Sequence, residues 1–143
     1  CEVFPGAVNS VPSRVRMELD VRDTDEGRRD EVLRTIEQAA RKTAAGRGVP
    51  VDCTLRNADA PAQGSPAVIA ALAAACTEQN YSYRKMVSRA YHDSLFMSRI
   101  APTGMLFIPC RNGVSHRPDE YASPESIETG TCVLADALRG LAQ

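Results

Sequence analysis

The sequence predicts an α+β fold in which a strand–strand–helix–strand layer is followed by a second, α/β segment. The layer is predicted because residues 14–22 and 49–56 alternate between apolar and polar side chains, and residues 27–45 between them carry apolar side chains at helical spacing. The second segment is predicted because two well-capped helices flank a short apolar strand at 103–108. A chain of 143 residues can form one ordinary domain or two small ones.

Three strands are predicted in the first half of the chain. Cys1 to Phe4 is the end of a strand that Pro5-Gly6 terminates. Arg14 to Arg22 alternates along its whole length, so we expect a half-buried strand with one apolar and one polar face. Val49 to Arg56 alternates in the same way. The side chains expected to face inward are Val15, Met17, Leu19, Val21, Val51, Cys53 and Leu55.

A helix is predicted between the second and third strands, from about Gly27 to Ala45. Asp23, Thr24 and Asp25 precede it, and such side chains accept hydrogen bonds from the first N–H groups of a helix. Gly46 and Gly48 are expected to end it. Its buried stripe is predicted to consist of Val32, Leu33, Ile36 and Ala40.

The stretch Asn57 to Ser65 is rich in Ala, Asp, Pro and Gly, which is typical of a linker. We therefore predict domains at residues 1–58 and 67–143, joined by residues 59–66. Ser65-Pro66 should start a helix that ends near Asn80, since proline is favoured at the first helical position. The apolar side chains of this helix are Val68, Ile69, Leu72 and Cys76.

Further along, a short strand is predicted at Met86-Val87, a helix from Tyr91 to Arg99 and a strand from Thr103 to Ile108. A last helix should start at Ser123-Pro124-Glu125, a good cap. Its buried residues are predicted to be Ile127, Leu134, Leu138 and Leu141. A lone strand at 105–108 would leave both edges unpaired, and the chain opens in the middle of a strand, so we expect neighbouring strands to lie outside this sequence.

The composition excludes several classes of partner. Lys+Arg 17 against Asp+Glu 18 gives a net charge of -1, which argues against nucleic acid and against an anionic membrane surface. No apolar run approaches the roughly 18 residues of a membrane span. The five cysteines are odd in number and contain no CxxC pair, which indicates reduced, mostly buried thiols in a reducing compartment such as the cytoplasm.

Both histidines are candidates for chemistry. His116 lies in a Gly/Ser/Pro-containing loop after a strand, where a neutral imidazole can ligate a metal; a surface histidine bonded to Asp119 or Glu120 is the alternative. His92 and Asp93 stand where a helix should begin, and helix N-termini attract anions such as a substrate carboxylate. Alternatively, Asp93 simply caps or charges the helix, with His92 packed beside Tyr91.

Arg22 and Asn9 form a third candidate pair. Arg22 ends the polar face of the alternating strand, where its guanidinium can hold a carboxylate through two hydrogen bonds. A solvated, salt-bridged strand face explains Arg22 equally, and turn geometry explains Asn9.

Two sequence blocks resemble one enzyme family. GAVNSVPSRVRMELDVRD is similar to the lid-domain segment of the dinuclear-metal amidohydrolases that cleave N-carbamoyl amino acids, allantoate and ureidoglycolate, which are relatives of aminoacylases and metal-dependent carboxypeptidases. RAYHDSLFMSRIAPTGMLFIPCRNGVSHRPDEYASPESIETG is similar to the segment that closes their catalytic domain. The resemblance implies a partial ferredoxin-like lid layer followed by the C-terminal α/β segment of a metallopeptidase-like catalytic domain.

The resemblance also implies roles for individual residues. His116 matches the last protein ligand of the metal pair, and Asn9 and Arg22 match the lid residues that bind the substrate's polar head and carboxylate. His92 and Asp93 match a histidine–aspartate pair with a catalytic role beside the substrate. RAYHDSLFM resembles plant-type ureidoglycolate amidohydrolases, which makes Tyr91 a candidate substrate contact.

The implied function is hydrolysis of the ureido C–N bond of ureidoglycolate with release of ammonia. The alternatives are an allantoate amidohydrolase, an N-carbamoyl-L-amino-acid hydrolase, or a non-catalytic dimerisation module.

The implied cofactors are two divalent metal ions. Manganese is the first candidate, zinc, nickel and cobalt are the alternatives, and this chain would supply a single ligand. The other ligands and the general-base glutamate are expected in an upstream segment. The implied partners are that segment, a small ureido acid and a second subunit bound through the lid. The implied compartment is the cytoplasm, or the endoplasmic reticulum for a plant-like source.

Overall fold

The computed structural model describes residues 1–142 and divides them into two compact units, Cys1–Ala60 and the residues from Pro61 onward. The first unit holds strands β1 (Glu2–Phe4) and β2 (Arg14–Arg16) and helix α1 (Glu26–Arg47). The second holds helices α2 (Pro66–Glu78), α3 (Ser94–Met97) and α4 (Pro124–Leu141), with a 3₁₀ turn at Arg111–Gly113. The fold is therefore mixed α and β, as predicted, with fewer strands than expected.

The sheet of the first unit has two antiparallel strands. Val3 pairs with Val15, and the loop between the strands closes where the Ser13 N–H donates to the Phe4 carbonyl oxygen at 2.9 Å. The predicted strand from Arg14 to Arg22 is wrong beyond Arg16, where β2 ends. Met17 and Leu19, whose apolar side chains were expected to face inward, are 66% and 63% exposed. Pairing stops because β1 offers three residues, and a strand without a partner loses its hydrogen bonds.

The third predicted strand, Val49 to Arg56, is also wrong. This segment has no regular structure; Val51 is half-buried, whereas Cys53 and Leu55 are exposed. Alternation shows which residues would share a face of a strand. A strand forms only where a neighbouring segment supplies the backbone hydrogen bonds of a sheet. Among residues 1–142, no neighbouring strand pairs with this segment.

Helix α1 begins and ends where the local chemistry predicts. The Asp25 carboxylate accepts the Arg28 N–H at 2.8 Å, and Gly48 adopts a left-handed φ of 64° as the C-cap; Gly46 lies inside the helix. The predicted stripe is only partly covered. Val32 is exposed, Leu33, Ile36 and Ala40 are half-buried, and the buried residues are Arg29 and Ala44.

Arg29 ties α1 to the end of the first unit. Its side chain is 9% exposed; Nη1 donates to the Asp59 carbonyl oxygen at 2.5 Å, and Nε donates to the Asp30 carboxylate at 2.9 Å. A guanidinium can be buried at low cost only when its N–H groups donate hydrogen bonds, and the Asp59 carbonyl oxygen and the Asp30 carboxylate accept them here.

The core of the second unit lies between α2 and α4. It consists of Ala75, Cys76, Val133 and Ala137, against which Ala71, Leu72 and Tyr81 pack. Helix α4 starts as predicted, with the Ser123 hydroxyl accepting the Ser126 N–H at 3.2 Å. Its predicted buried face is wrong, because small residues face α2. The large apolar side chains are 47–58% exposed: Ile127, Leu134, Leu138 and Leu141.

The predicted strands at Met86-Val87 and Thr103 to Ile108 are absent from the described residues, and the helix expected from Tyr91 to Arg99 is reduced to the single turn α3. The 103–108 segment nevertheless has fixed neighbours. The Thr103 carbonyl oxygen accepts the Ser65 N–H at 2.8 Å. Gly104 and Gly130 allow close approach of Val68 and Ile108 respectively, so the segment lies against α2 and α4.

All five cysteines are free thiols, but only Cys76 is buried, so the expectation of mostly buried thiols is wrong. Within residues 1–142, no helix is long and apolar enough to cross a membrane.

Candidate functional site

His92 lies in an irregular segment just before α3 and is half-buried. Its Nε2 is 2.8 Å from the Ser88 hydroxyl oxygen, and its ring centre is 5.7 Å from that of Phe107, tilted by 56°. The imidazole is thus held by one hydrogen bond and one aromatic neighbour. The sequence does not indicate Ser88 and Phe107 as neighbours of His92, because the irregular backbone at 86–93 gives no periodicity from which to infer side-chain contacts.

Asp93 and Tyr91 flank His92 and have different surroundings. Asp93 precedes the first residue of α3, but its side chain caps nothing, while its carbonyl oxygen accepts the N–H groups of Phe96 and Met97. The capping alternative for the Asp93 carboxylate is therefore wrong. Tyr91 is 52% exposed, and its ring meets the Phe96 ring edge-on, with centres 5.8 Å apart.

His116 occupies a loop that is closed at its base. The Arg111 N–H donates to the Tyr121 carbonyl oxygen at 2.8 Å, and the Arg111 guanidinium stacks 4.3 Å from the centre of the Tyr121 ring. Two independent contacts thus join the ends of the loop. This closure fixes where the loop leaves the body of the second unit, so the position of His116 is set at both ends.

The backbone of His116 is left-handed, with a φ of 59°. This conformation is uncommon for residues other than glycine and costs free energy unless neighbours hold it. Glu120 holds it here, since its carboxylate accepts the His116 N–H at 2.8 Å. Asp119 pairs instead with Arg117, at 2.9 Å. In the described chain, neither carboxylate contacts the His116 imidazole, which is exposed.

Arg22 and Asn9 belong to the first unit and are both exposed. The Arg22 guanidinium donates to both oxygens of Asp20, from Nε at 2.9 Å and from Nη2 at 2.5 Å. This hydrogen bonding raises the pKa of Arg22 and lowers that of Asp20. Arg22 therefore already has the two-pronged geometry with which a guanidinium binds a carboxylate. Asn9 lies in the turn between β1 and β2.

The described residues contain no group of three or more His, Cys, Asp or Glu side chains arranged to hold a metal ion. Protein metal centres usually require three or four such ligands. The donor set of residues 1–142 is therefore too small for a complete metal centre, although the exposed His116 imidazole fits as one ligand of a larger set.

The model of peptidase family M20/M25/M40 matches residues 6–140. The chain belongs to this family. The predicted relationship to the carbamoylase, aminoacylase and carboxypeptidase group is thereby confirmed.

Specific relatives refine the comparison. The chain is 48% identical over 141 residues to a ureidoglycolate hydrolase of Oryza sativa subsp. japonica, a match that covers 98% of the chain and 29% of the relative. It is 36% identical to an N-carbamoyl-L-amino-acid amidohydrolase of Pseudomonas sp. strain NS671, over 94% of the chain and 33% of the relative. The crystal structure of AtUAH in complex with glyoxylate superimposes with a TM-score of 0.76 and 44% identity, over 98% of this chain and 33% of that one. The chain thus spans about a third of the length of these M20 relatives.

Proposed function

We propose that the chain is the C-terminal third of an M20-family amidohydrolase that hydrolyses ureidoglycolate and releases ammonia. The observation that carries this proposal is the 48% identity to a ureidoglycolate hydrolase across 98% of the chain, against 36% for the carbamoyl-amino-acid enzyme. Family membership favours an enzyme over a non-catalytic module. Residues 1–58 would be the second half of the lid, residues 59–66 the linker and residues 67–143 the end of the catalytic domain.

Exposed apolar surface supports the need for an upstream segment. Helix α4 exposes four large aliphatic side chains, and Met105 to Phe107 are 37–53% accessible. Large exposed apolar areas often mark surfaces that another part of a protein covers. We propose that the upstream two thirds of the enzyme cover it, since the relatives are about three times as long. The two-stranded sheet has unpaired outer edges within the described chain, which supports a second subunit bound through the lid.

His116 is the proposed metal ligand of this chain. Its imidazole is exposed, bonded to neither loop carboxylate, and carried on a loop closed by Arg111 and Tyr121. When bound, two divalent ions, with manganese the first candidate, would supply Lewis acidity and a water of lowered pKa. The remaining ligands and the general base would come from the upstream segment.

The other candidate residues would bind and orient the substrate. Arg22 would exchange Asp20 for the substrate carboxylate, using the same two donors, and Asn9 would bind the polar head of the substrate. His92 would donate or accept a hydrogen bond at the reacting group, with Asp93 beside it at the start of α3, and the Tyr91 hydroxyl would contact the substrate. The five free thiols support a reducing compartment, which we take to be the cytoplasm. The endoplasmic reticulum, the alternative for a plant-like source, is oxidising and fits free thiols less well.

Turnover of three substrates by the full-length enzyme tests the function. We expect kcat/KM for ureidoglycolate to exceed that for allantoate and for an N-carbamoyl amino acid. A higher value for the carbamoyl amino acid would contradict the substrate assignment and favour the function of the Pseudomonas relative. The 143-residue chain alone, supplied with manganese, should release no ammonia from any of the three.

Metal content tests the role of His116. We expect the His116→Ala enzyme to bind fewer divalent ions per subunit than the wild type by elemental analysis. Arg139→Ala is the matched control, because Arg139 is exposed on α4 and pairs with Asp136 at 3.0 Å. An unchanged ion content in the His116 variant would refute the ligand assignment.

A further inference from the structure

We propose that Ser88 is a positioning residue that holds the His92 imidazole by Nε2, so that Nδ1 is the ring nitrogen presented to the substrate. This inference rests on the proposed function, in which His92 lies beside the substrate. It goes beyond that function because it names the residue that orients His92 and the nitrogen that acts.

The Ser88 hydroxyl is itself fixed before it meets the imidazole. Its oxygen accepts the Ala90 N–H at 3.3 Å, which anchors it to the backbone two residues away. A hydroxyl has one proton and two lone pairs, so this contact leaves the proton available. The Ser88 oxygen then lies 2.8 Å from His92 Nε2, a full-strength hydrogen bond. In the arrangement that we infer, the hydroxyl donates to Nε2 and the ring proton is on Nδ1.

The imidazole ring is also held by packing. Phe107 meets the imidazole at 5.7 Å between ring centres, and His92 is half-buried. Aromatic contacts at this distance favour a defined ring orientation. With Nε2 bonded to Ser88, the remaining polar atom of the ring is Nδ1. A protonated Nδ1 is a hydrogen-bond donor, which suits the carbonyl and carboxylate oxygens of a ureido acid.

The spacing of Ser88 and His92 also raises the alternative of a nucleophilic serine activated by a histidine. The two roles of Ser88 predict losses of activity of different size. Loss of a nucleophile removes activity by several orders of magnitude. Loss of one orienting hydrogen bond should reduce kcat/KM roughly tenfold.

Imidazole nitrogen chemical shifts in the full-length enzyme test the hydrogen bond directly. The His92→Gln variant identifies the signals of the His92 ring by their loss. We expect the neutral form of wild-type His92 to carry its proton on Nδ1, and Ser88→Ala to shift the ring towards the tautomer mixture of a free imidazole. Ser88→Thr should keep the wild-type pattern. Ser98→Ala is the matched control, because its half-buried hydroxyl donates to the Leu95 carbonyl oxygen at 2.9 Å. Wild-type shifts typical of the opposite or a mixed tautomer would overturn the inference.

Kinetics of the full-length enzyme test the consequence. We expect Ser88→Ala to lower kcat/KM for ureidoglycolate roughly tenfold, with Ser88→Thr restoring it. In a His92→Ala background, Ser88→Ala should cause no further loss, since Ser88 acts through His92. Additive losses, or loss of all activity in Ser88→Ala, would overturn the inference. If the substrate assignment itself is wrong, the wild type will not hydrolyse ureidoglycolate, while the nitrogen shifts will still respond to Ser88→Ala.

Discussion

Substitution of Gly130 tests whether the 103–108 segment is packed on α4. A Cβ at Gly130 would lie 2.5 Å from Ile108 Cγ2, whereas carbon atoms in contact prefer about 3.5–4.0 Å. Ile108 cannot easily turn away, because β-branched side chains are stiff at χ1. Replacement of a mid-helix glycine by alanine normally stabilises a helix by about 1 kcal/mol. Overpacking costs about 1–3 kcal/mol, so the net expectation for Gly130→Ala is a loss of roughly 1 kcal/mol.

Gly140→Ala is the matched control in the same helix, because a Cβ there would meet nothing within 4 Å. It should raise the free energy of unfolding by about 0.5 kcal/mol. Urea unfolding of the 143-residue chain, followed by far-UV circular dichroism, measures both values. In an Ile108→Ala background, Gly130→Ala should cease to destabilise, because Cγ2 is gone. If Gly130→Ala stabilises the wild-type chain as much as Gly140→Ala does, the packing of Ile108 on α4 is refuted.

Three further predictions concern the first unit. Arg22→Ala in the full-length enzyme should raise KM for ureidoglycolate roughly tenfold or more with little change in kcat, because a charge-assisted carboxylate contact is lost; an unchanged KM would contradict the carboxylate role. Arg29→Met should lower the urea midpoint of the chain more than Arg41→Met does, because Arg29 is buried on the Asp59 carbonyl whereas Arg41 forms an exposed pair. The pKa of Asp23 is held well below its usual 3.8 by hydrogen bonds from the Arg28 guanidinium and the backbone. Its contribution to stability is therefore complete above pH 4 and lost as the pH falls through the lowered value, so Asp23→Asn should flatten the acid limb of a stability–pH curve.

The sequence by itself determined where α1 and α4 begin, where α1 ends and which family the chain belongs to. Asp25, Ser123 and Gly48 act through groups one to four residues away, so a local pattern contains all the information that a cap requires. The blocks around Asn9 and His116 were likewise specific enough to indicate the M20 relationship before the fold was known.

Only the tertiary structure decided which helix faces are buried, which predicted strands form and which residues contact the candidate site. Residues 17–22, 49–56 and 103–108 have strand patterns, yet a strand exists only where another chain segment completes its hydrogen bonds, and periodicity does not say whether one is there. Helix α4 turned its small residues to α2 because close helix packing favours them, which left its leucines exposed. The bond from Ser88 to His92 and the left-handed backbone at His116 depend on how irregular segments fold back on themselves, and that is set by contacts no local pattern encodes.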